Sequence, residues 1–358
     1  MLHFYHTLHH GRATRHSLWL LALCLLLTLQ ACHSPHSPHQ PERIHYQGEA
    51  QGTYYSITYY DTVPRIAQSE IDSLLADFDL TASLWVEGSL LRRLNDNTTD
   101  TITPLFADLL TKSMEAYDYT DGAFDCTVGK LVNAWGFGFR KHEELRQHAV
   151  DSMLGYIGTN RLQLDTADNG TLLLRKGTPE IELDFNAIAQ GYSVDMLADF
   201  FEAKGVHNYL IDVGGEVIGR GCKPGGEAWN VGIERPAPDR YSAPEIELSI
   251  ALRDASVVTS GSYRKYYEKD GARYSHTIDP STGRPVEHSL LSVSVVDRYA
   301  WRADALATAF MVMGLERSLA FIEAHPTDSQ VQAVFFIYDD GGTYKTMSTP
   351  AFDKLINE

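Results

Sequence analysis

Residues 260–280 combine small, basic, aromatic and imidazole side chains at a density that core packing does not require. Arg264, Lys265 and Arg273 could neutralise phosphate, or they could lie on a solvated strand. His276 could accept a proton near neutral pH, or it could be structural. Such a mixture is typical of a site that holds an anionic, aromatic ligand.

A carboxylate and a hydroxyl lie one helical turn apart in Asp304 and Thr308. Residues at i and i+4 share a helix face. Their oxygen atoms suit Mg²⁺, which completes its coordination shell with water and phosphate. Taken alone, the pair is also explained by a helix-dipole aspartate and by a threonine that is bonded to the backbone.

Three other segments could contact a ligand. Asp184 and Asn186 precede a predicted helix, where free N–H groups can meet an anion, although simple capping explains them equally well. Residues 121–138 contain glycine-bounded turns around Phe124, which suit a flat ring or pack on themselves. Trp85 lies just after another helix, where its indole could stack on a base or join the core.

The formal net charge of the 358-residue chain is −17. Such an acidic protein should repel nucleic acid, so nucleic acid is not expected as a partner. An anionic ligand would need a local basic pocket or a bound cation. Cys126 and Cys222 could pair in an exported protein or stay separate as buried small hydrophobes, and no Cys/His metal spacing is present.

Residues 1–31 have the pattern of a lipoprotein signal peptide. Arg12 and Arg15 form a basic start, and the apolar run 18–29 is too short to span a bilayer comfortably. The run stops at Ala31-Cys32, which predicts cleavage and lipidation of Cys32. An ordinary secretory signal and an uncleaved anchor are the alternatives. Residues 32–44 are expected to be a flexible tether. Residues 45–358 are enough for one large domain or for two closely joined ones.

Apolar periodicity predicts a mixed chain of strands and clustered helices. The expected strands are 46–60, 181–183, 209–213, 216–219, 229–233, 246–252, 256–259, 292–296 and 331–337, with a hairpin from 162–164 to 172–174. The expected helices begin at Pro64, Pro104 and Ala187 and cover 301–313 and 315–324. Consecutive strands joined by short turns favour an α+β fold with largely antiparallel sheets and flanking helices.

The order of these segments resembles the FAD:protein FMN transferase family, the ApbE-type flavin transferase lipoproteins. The resemblance runs from about Gly48 to the C-terminus. It includes Gly52-Thr53, Ser83-Leu84-Trp85 and the segments 122–138, 183–195, 212–216, 259–285 and 303–314. The family implies an ApbE-like fold and a Mg²⁺-dependent reaction in which a threonine hydroxyl of a partner protein attacks the pyrophosphate of FAD. FMN becomes linked to the threonine, and AMP leaves.

By position, the resemblance implies that Asp304 and Thr308 are Mg²⁺ ligands and that Ala187 adds its backbone carbonyl. It implies that His276 serves as a base or phosphate contact. The FAD contacts that it implies are Gln51, Trp85, Ala123, Phe124, Asp125, Asp184, Gln190 and Ile278. The chain departs from the family at two positions: many relatives carry a charged residue at Gln190, and some carry a carboxylate at Ala307.

The resemblance also implies that the acceptors are flavin-bearing subunits of membrane electron-transfer complexes. The protein is then expected to be a lipoprotein that is anchored to the membrane outside the cytoplasm. Two other functions remain open from the sequence. One is an FAD pyrophosphatase that releases FMN and AMP to water, and the other is a non-catalytic FAD-binding lipoprotein.

Overall fold

The computed structural model describes residues 41–137, 145–236, 245–262, 266–269, 272–326 and 333–357, and for 266–269 and 272–275 it describes the backbone. Cys32, the signal segment, Arg264 and Lys265 therefore lie outside the described residues, as does the side chain of Arg273. All described elements belong to one compact unit, which begins at Pro41.

An eight-stranded antiparallel sheet is the centre of the fold. The strands are β1 (Glu42–Ala50), β2 (Thr53–Asp61), β3 (Leu162–Thr166), β4 (Leu172–Lys176), β5 (Tyr209–Val213), β6 (Glu216–Arg220), β7 (Trp229–Arg235), β8 (Glu245–Leu252), β9 (Ala255–Gly261), β10 (Tyr266–Lys269), β11 (Ala272–Ser275), β12 (Ile278–Asp279), β13 (Arg284–Pro285), β14 (Leu290–Asp297), β15 (Ala333–Asp339) and β16 (Tyr344–Ser348). The order in the large sheet is β1-β2-β5-β6-β9-β14-β15-β16, and β3-β4, β7-β8, β10-β11 and β12-β13 form separate pairs.

Helices flank this sheet. They are α1 (Gln68–Ala82), α2 (Leu90–Asn95), α3 (Pro104–Tyr119), α4 (Gly129–Ala134), α5 (Gln147–Leu154), α6 (Ala189–Ala203), α7 (Ala300–Ala324) and α8 (Pro350–Asp353). Apolar side chains of α1, α6 and α7 pack on β2, β5, β9 and β14 to form the main core. The β7-β8 pair packs on the opposite face. The α+β class with largely antiparallel sheets is thus confirmed.

Helix α7 carries the two expected side-chain metal ligands, Asp304 and Thr308. Gly314 interrupts it with φ 75° and ψ 173°, so it consists of two helical segments, as the sequence predicts. It is the one helix of the described ranges that is long and apolar enough to cross a bilayer, but 67% of that apolar window is buried inside the fold. Its burial between the sheet and α6 makes it a core helix.

Several predicted elements differ from the structure. The tether was expected to extend to residue 44, but β1 already begins at Glu42, because it pairs with β2 as far as Asp61. The expected strand 46–60 is a hairpin of two strands. Residues 181–183 form no strand, since Glu182 makes only an isolated bridge to Val128. The helices expected from Pro64 and Ala187 begin at Gln68 and Ala189.

Candidate active site

A cleft of about 1210 Å³ opens at the end of the central strands, between α6, α7 and the loops around residues 85, 125 and 215. The structure brings all twelve described candidate residues to its wall. They are Gln51, Trp85, Ala123, Phe124, Asp125, Asp184, Ala187, Gln190, His276, Ile278, Asp304 and Thr308. Residues that are up to 257 positions apart in the chain therefore meet in one concave surface.

Asp304 and Thr308 lie together on the side of α7 that faces this cleft. Asp304 is 5% exposed, and its Oδ2 accepts the backbone N–H of Gly191 at 3.0 Å. Thr308 Oγ1 lies 3.2 Å from Ser260 Oγ at the end of β9. Two oxygen-bearing side chains are thus held by α6 on one side and by the sheet on the other.

Gly191 explains why α6 can position Asp304. A Cβ at this residue would lie 2.4 Å from the carbonyl oxygen of Ala300 and 2.8 Å from Asp304 Cβ, so the two helices touch through backbone atoms. Gly191 is also the third residue of α6, and its N–H has no partner within the helix. The carboxylate of Asp304 satisfies this N–H.

The electrostatics of Asp304 favour a bound cation. Burial raises the pKa of Asp304 to about 7, against a single lowering contribution from the Gly191 N–H. No cationic side chain among the described residues forms an ion pair with this carboxylate, and in the same residues no hydrogen bond engages the Ala187 carbonyl oxygen. One carboxylate, one hydroxyl and one carbonyl are oxygen donors that fit Mg²⁺, which keeps several waters.

In the part of the chain that the structure describes, no three His, Cys, Asp or Glu side chains converge on one point. The donor set at α7 therefore fits a hard cation that shares its shell with a phosphate-bearing ligand.

A hydrogen-bonded turn around Asp125 forms another part of the cleft wall. The Asp125 carboxylate accepts Thr127 N–H at 2.8 Å, Thr127 Oγ1 at 2.6 Å and Thr159 Oγ1 at 2.8 Å. Its side chain therefore fixes the turn, which leaves the backbone at residues 123–125 to line the cleft. Asp184 N–H donates to the Cys126 carbonyl at 2.8 Å, which ties this turn to the segment before α6.

Asp184 does not cap α6. Its Oδ1 accepts Asn186 N–H at 2.8 Å in a local turn, and α6 begins three residues later, at Ala189, without a side-chain cap. Cys126 and Cys222 are both free thiols, and burial raises the pKa of the Cys126 thiol. The sequence had left open a disulfide between these two residues.

The β1-β2 turn supplies the amide of Gln51. Gln51 and Gly52 have φ values of 54° and 73°, which is the left-handed pair of a two-residue hairpin turn. Gln51 Nε2 and Oε1 are buried, and neither atom has a hydrogen-bond partner among the described residues. Since a buried unpaired amide costs free energy, the cleft is suited to a ligand with matching donors and acceptors.

Trp85 and His276 lie at other positions in the wall. Trp85 is 61% exposed, so its indole is accessible for stacking. The His276 ring lies 6.4 Å from the ring of Phe137 in an edge arrangement. Ile278 is 5% exposed and packs beside Leu131 and Trp135.

Sequence reasoning missed three contributors to the cleft. Nothing in the sequence indicated a role for Ser260, yet its hydroxyl contacts that of Thr308 at 3.2 Å. Tyr54 donates to Asp212 Oδ2 at 3.1 Å in a part of the cleft that no candidate residue had indicated. A signal existed for Asp212, because it directly precedes a Gly-Gly turn at the end of a buried strand.

Comparisons with known proteins agree with this arrangement. A family model described as the ApbE family matches residues 51–335. A relative from Vibrio cholerae serotype O1 named FAD:protein FMN transferase is 36% identical over 350 residues, which is 95% of this chain and 99% of the relative. A relative of the same name from Escherichia coli is 35% identical, over 87% of this chain and 88% of its own length.

Two solved structures are similar over most of the chain. The apo form of the flavinyl transferase ApbE from Pseudomonas stutzeri has a TM-score of 0.77 and 33% identity, over 89% of this chain and 98% of that one. The flavin transferase ApbE from Vibrio cholerae has a TM-score of 0.74 and 34% identity, over 88% and 99%.

Proposed function

Because the chain belongs to the ApbE family and is an FAD:protein FMN transferase, we propose that it transfers FMN from FAD to a threonine hydroxyl with Mg²⁺ at Asp304 and Thr308. The observation that carries the proposal is the pair of oxygen donors on α7, which lies in the wall of one cleft with every expected flavin contact.

The proposed chemistry balances as follows. The threonine oxygen of the acceptor bonds to the phosphorus of the FMN half, and the bond from that phosphorus to the bridging oxygen breaks. AMP leaves with the bridging oxygen, and the threonine proton passes to a base. A bound Mg²⁺ would neutralise charge on the phosphate oxygens. His276 is our candidate for the proton acceptor, because it lies in the wall of the same cleft.

The remaining residues would orient FAD. Trp85 offers an exposed indole face for stacking, and Gln51 offers a buried amide that has no hydrogen-bond partner among the residues that the structure describes. Asp304 is held by Gly191, and Thr308 by Ser260, so neither has to reorganise when the phosphates arrive. Fixed donors of this kind are the usual source of rate enhancement in phosphoryl transfer.

Incubation with FAD, MgCl₂ and a flavin-accepting protein domain tests the proposal by mass spectrometry. We expect a covalent FMN increment on the acceptor, its loss when the acceptor threonine is changed to valine, and its loss in EDTA. Free FMN and AMP without labelled acceptor would indicate a pyrophosphatase. Intact bound FAD without AMP would indicate a binding protein, and either result would contradict the proposal.

We also propose that lipidated Cys32 anchors the protein to a membrane outside the cytoplasm, where subunits of electron-transfer complexes would be its acceptors. The support is the sequence pattern of residues 1–32, which ends in a small residue followed by cysteine. Labelling of cells with an alkyne fatty acid should modify the wild-type protein and not Cys32→Ala. Equal labelling of both proteins would exclude this anchor.

A further inference from the structure

The cleft extends beyond the residues that are expected to hold FAD and the metal. Its volume of about 1210 Å³ exceeds the roughly 300–1,000 Å³ that is usual for one small ligand. One part of its wall, which we call the β7 arm, consists of residues 230–234 with Leu210, Asp212, Val217 and Val257. Val217 and Val257 pack with β7 and β8, on the sheet face opposite to α6 and α7.

Strand β7 meets the cleft along its edge. Five consecutive residues, 230–234, line the cleft, whereas β8 contributes only Ile246. Successive side chains of a strand point to opposite faces of a sheet. A cleft that is lined by five consecutive residues of β7 therefore lies beside the edge of the β7-β8 sheet and not above one of its faces.

The hydrogen-bond pattern of β8 shows which backbone groups lie at that edge. Ala251 N–H donates to the Leu355 carbonyl at 2.7 Å, and the Ser249 carbonyl accepts Asn357 N–H at 2.9 Å. Ser249 and Ala251 therefore direct their backbone groups away from β7. Their register partners are Gly232 and Asn230.

The pairs Gly232–Ser249 and Asn230–Ala251 are thus non-hydrogen-bonded pairs of the β7-β8 ladder. The N–H and C=O groups of Gly232 and Asn230 therefore point away from β8, to the outer edge of β7. In the described part of the chain, β8 is the only strand that pairs with β7. Four outward backbone groups of an edge strand are a template for an added strand.

The charge of the β7 arm indicates which substrate it takes. The Tyr54 hydroxyl donates to Asp212, and the negative charges of Glu234 and Glu216 lie close enough to influence its titration. Burial and these three carboxylates raise the pKa of Tyr54 to about 12. Asp212 and Glu234 belong to the β7 arm, and Glu216 lies in the cleft wall beside it. Three carboxylates there disfavour the diphosphate of FAD and favour a neutral or basic polypeptide. The transferase reaction requires a polypeptide in the same cleft as FAD.

We infer that the outer edge of β7 binds the acceptor protein as an added strand, through the backbone groups of Asn230 and Gly232. The inference rests on the proposed transfer to a protein hydroxyl. The acceptor segment is extended, and it is neutral or basic beside its threonine. Along this edge it runs toward the end of the sheet, where Asp304 and Thr308 lie in the same cleft.

The direct test is Gly232→Pro with Gly232→Ala as the matched control. Proline removes one outward N–H and is tolerated at an edge position that does not pair. The control keeps the N–H, and its Cβ would lie 2.8 Å from Cδ1, 3.3 Å from Cγ2 and 3.4 Å from Cγ1 of Ile246, an exposed side chain that can turn away. We expect Gly232→Pro to raise the KM for the acceptor about tenfold, equivalent to 1.4 kcal/mol, with the KM for FAD unchanged.

A second measurement does not depend on folding of the variant. Acceptor peptides that are N-methylated at one residue at a time should lose affinity for the wild-type protein at every second position, because alternate residues face the edge. A flat profile would overturn the inference, as would equal KM values for the proline and alanine variants. A wild-type dimer that Gly232→Pro makes monomeric would show that the edge binds a second copy, and would also overturn it.

Failure of the proposed function gives a different result. If wild-type protein does not label the acceptor at all, the transfer to a protein hydroxyl is wrong. If the wild type labels the acceptor and the proline variant labels it with the same KM as the alanine control, the function stands and the edge inference is wrong.

Discussion

Replacement of Gly191 by alanine should weaken metal binding as well as lower stability. The new Cβ would lie 2.4 Å from the Ala300 carbonyl oxygen and 2.7 Å from its carbon, and neither backbone atom can rotate away. Helices α6 and α7 must therefore separate by roughly 1 Å, since contacting carbon atoms prefer about 3.5–4 Å.

The separation has two calculable costs. Overpacking of this kind destabilises a fold by about 1–3 kcal/mol, which lowers the Tm of a domain of this size by roughly 2–10 °C. The 3.0 Å hydrogen bond from Gly191 N–H to Asp304 Oδ2 would lengthen toward about 4 Å and be lost, at about 1.5–3 kcal/mol. A ligand that is misplaced by about 1 Å can cost about 100-fold in rate.

The assay pairs Tm with titration of Mn²⁺ by electron paramagnetic resonance in the presence of FAD. Val194→Ala is the matched control, because Val194 is fully buried on the same helix and packs in the main core. Its truncation should cost about 2–3 kcal/mol and leave Mn²⁺ affinity unchanged. If Gly191→Ala loses stability but keeps wild-type Mn²⁺ affinity, the positioning role of Gly191 is refuted.

Three further changes test other parts of the site. Trp85→Ala should leave Tm unchanged, because the side chain is 61% exposed. It should raise the Kd for FAD by about 5- to 150-fold if the indole stacks on the ligand. An unchanged Kd in a fluorescence titration would exclude stacking. Asp125→Asn should lower the free energy of unfolding in urea by about 1–3 kcal/mol. If the amide oxygen takes the place of Oδ1 and accepts from the hydroxyls of Thr127 and Thr159, the amide N–H₂ group must face Thr159 N–H, which donates to Oδ2 at 3.4 Å. An unchanged urea midpoint would contradict the structural role of this carboxylate. Burial raises the pKa of Asp195 to about 7, so the native state holds a proton that the unfolded chain, with a pKa of about 3.9, releases. The contribution of Asp195 to the free energy of unfolding therefore falls as pH rises from about 4 to 7. Asp195→Asn keeps an acceptor for Trp301 N–H, so its stability relative to the wild type should increase by about 1–4 kcal/mol across that range. If the stability difference between the two proteins stays constant between about pH 4.5 and 8, this sign is wrong.

Local spacing was enough to predict the elements that carry the site. Asp304 and Thr308 share a helix face because the period of a helix is fixed, and the sequence also located the break at Gly314. The order of motifs identified residues that the structure brings to one cleft. The helix face and the helix break depend on residues that are neighbours in the chain. The set of cleft residues depends on the order of motifs along the whole chain.

Features that depend on distant contacts were not predictable. The contact of Gly191 with Ala300 joins two helices that are more than a hundred residues apart, and no periodicity encodes it. The outward groups of Asn230 and Gly232 follow from pairing of β8 with residues 355–357. Residues 181–183 are apolar enough for a strand, but only Glu182 finds a partner, so the prediction of a strand there was wrong.

The central claim is that Asp304 and Thr308 hold a divalent cation in the cleft that binds FAD. Titration of Mn²⁺ into wild-type protein and Asp304→Asn, each with FAD, tests it most directly. The amide keeps an acceptor for Gly191 N–H and removes a buried carboxylate whose pKa is raised, so the variant should stay folded. The account predicts one bound Mn²⁺ in the wild type and at least about a tenfold loss of affinity in the variant. Equal Mn²⁺ affinity in two folded proteins would contradict it.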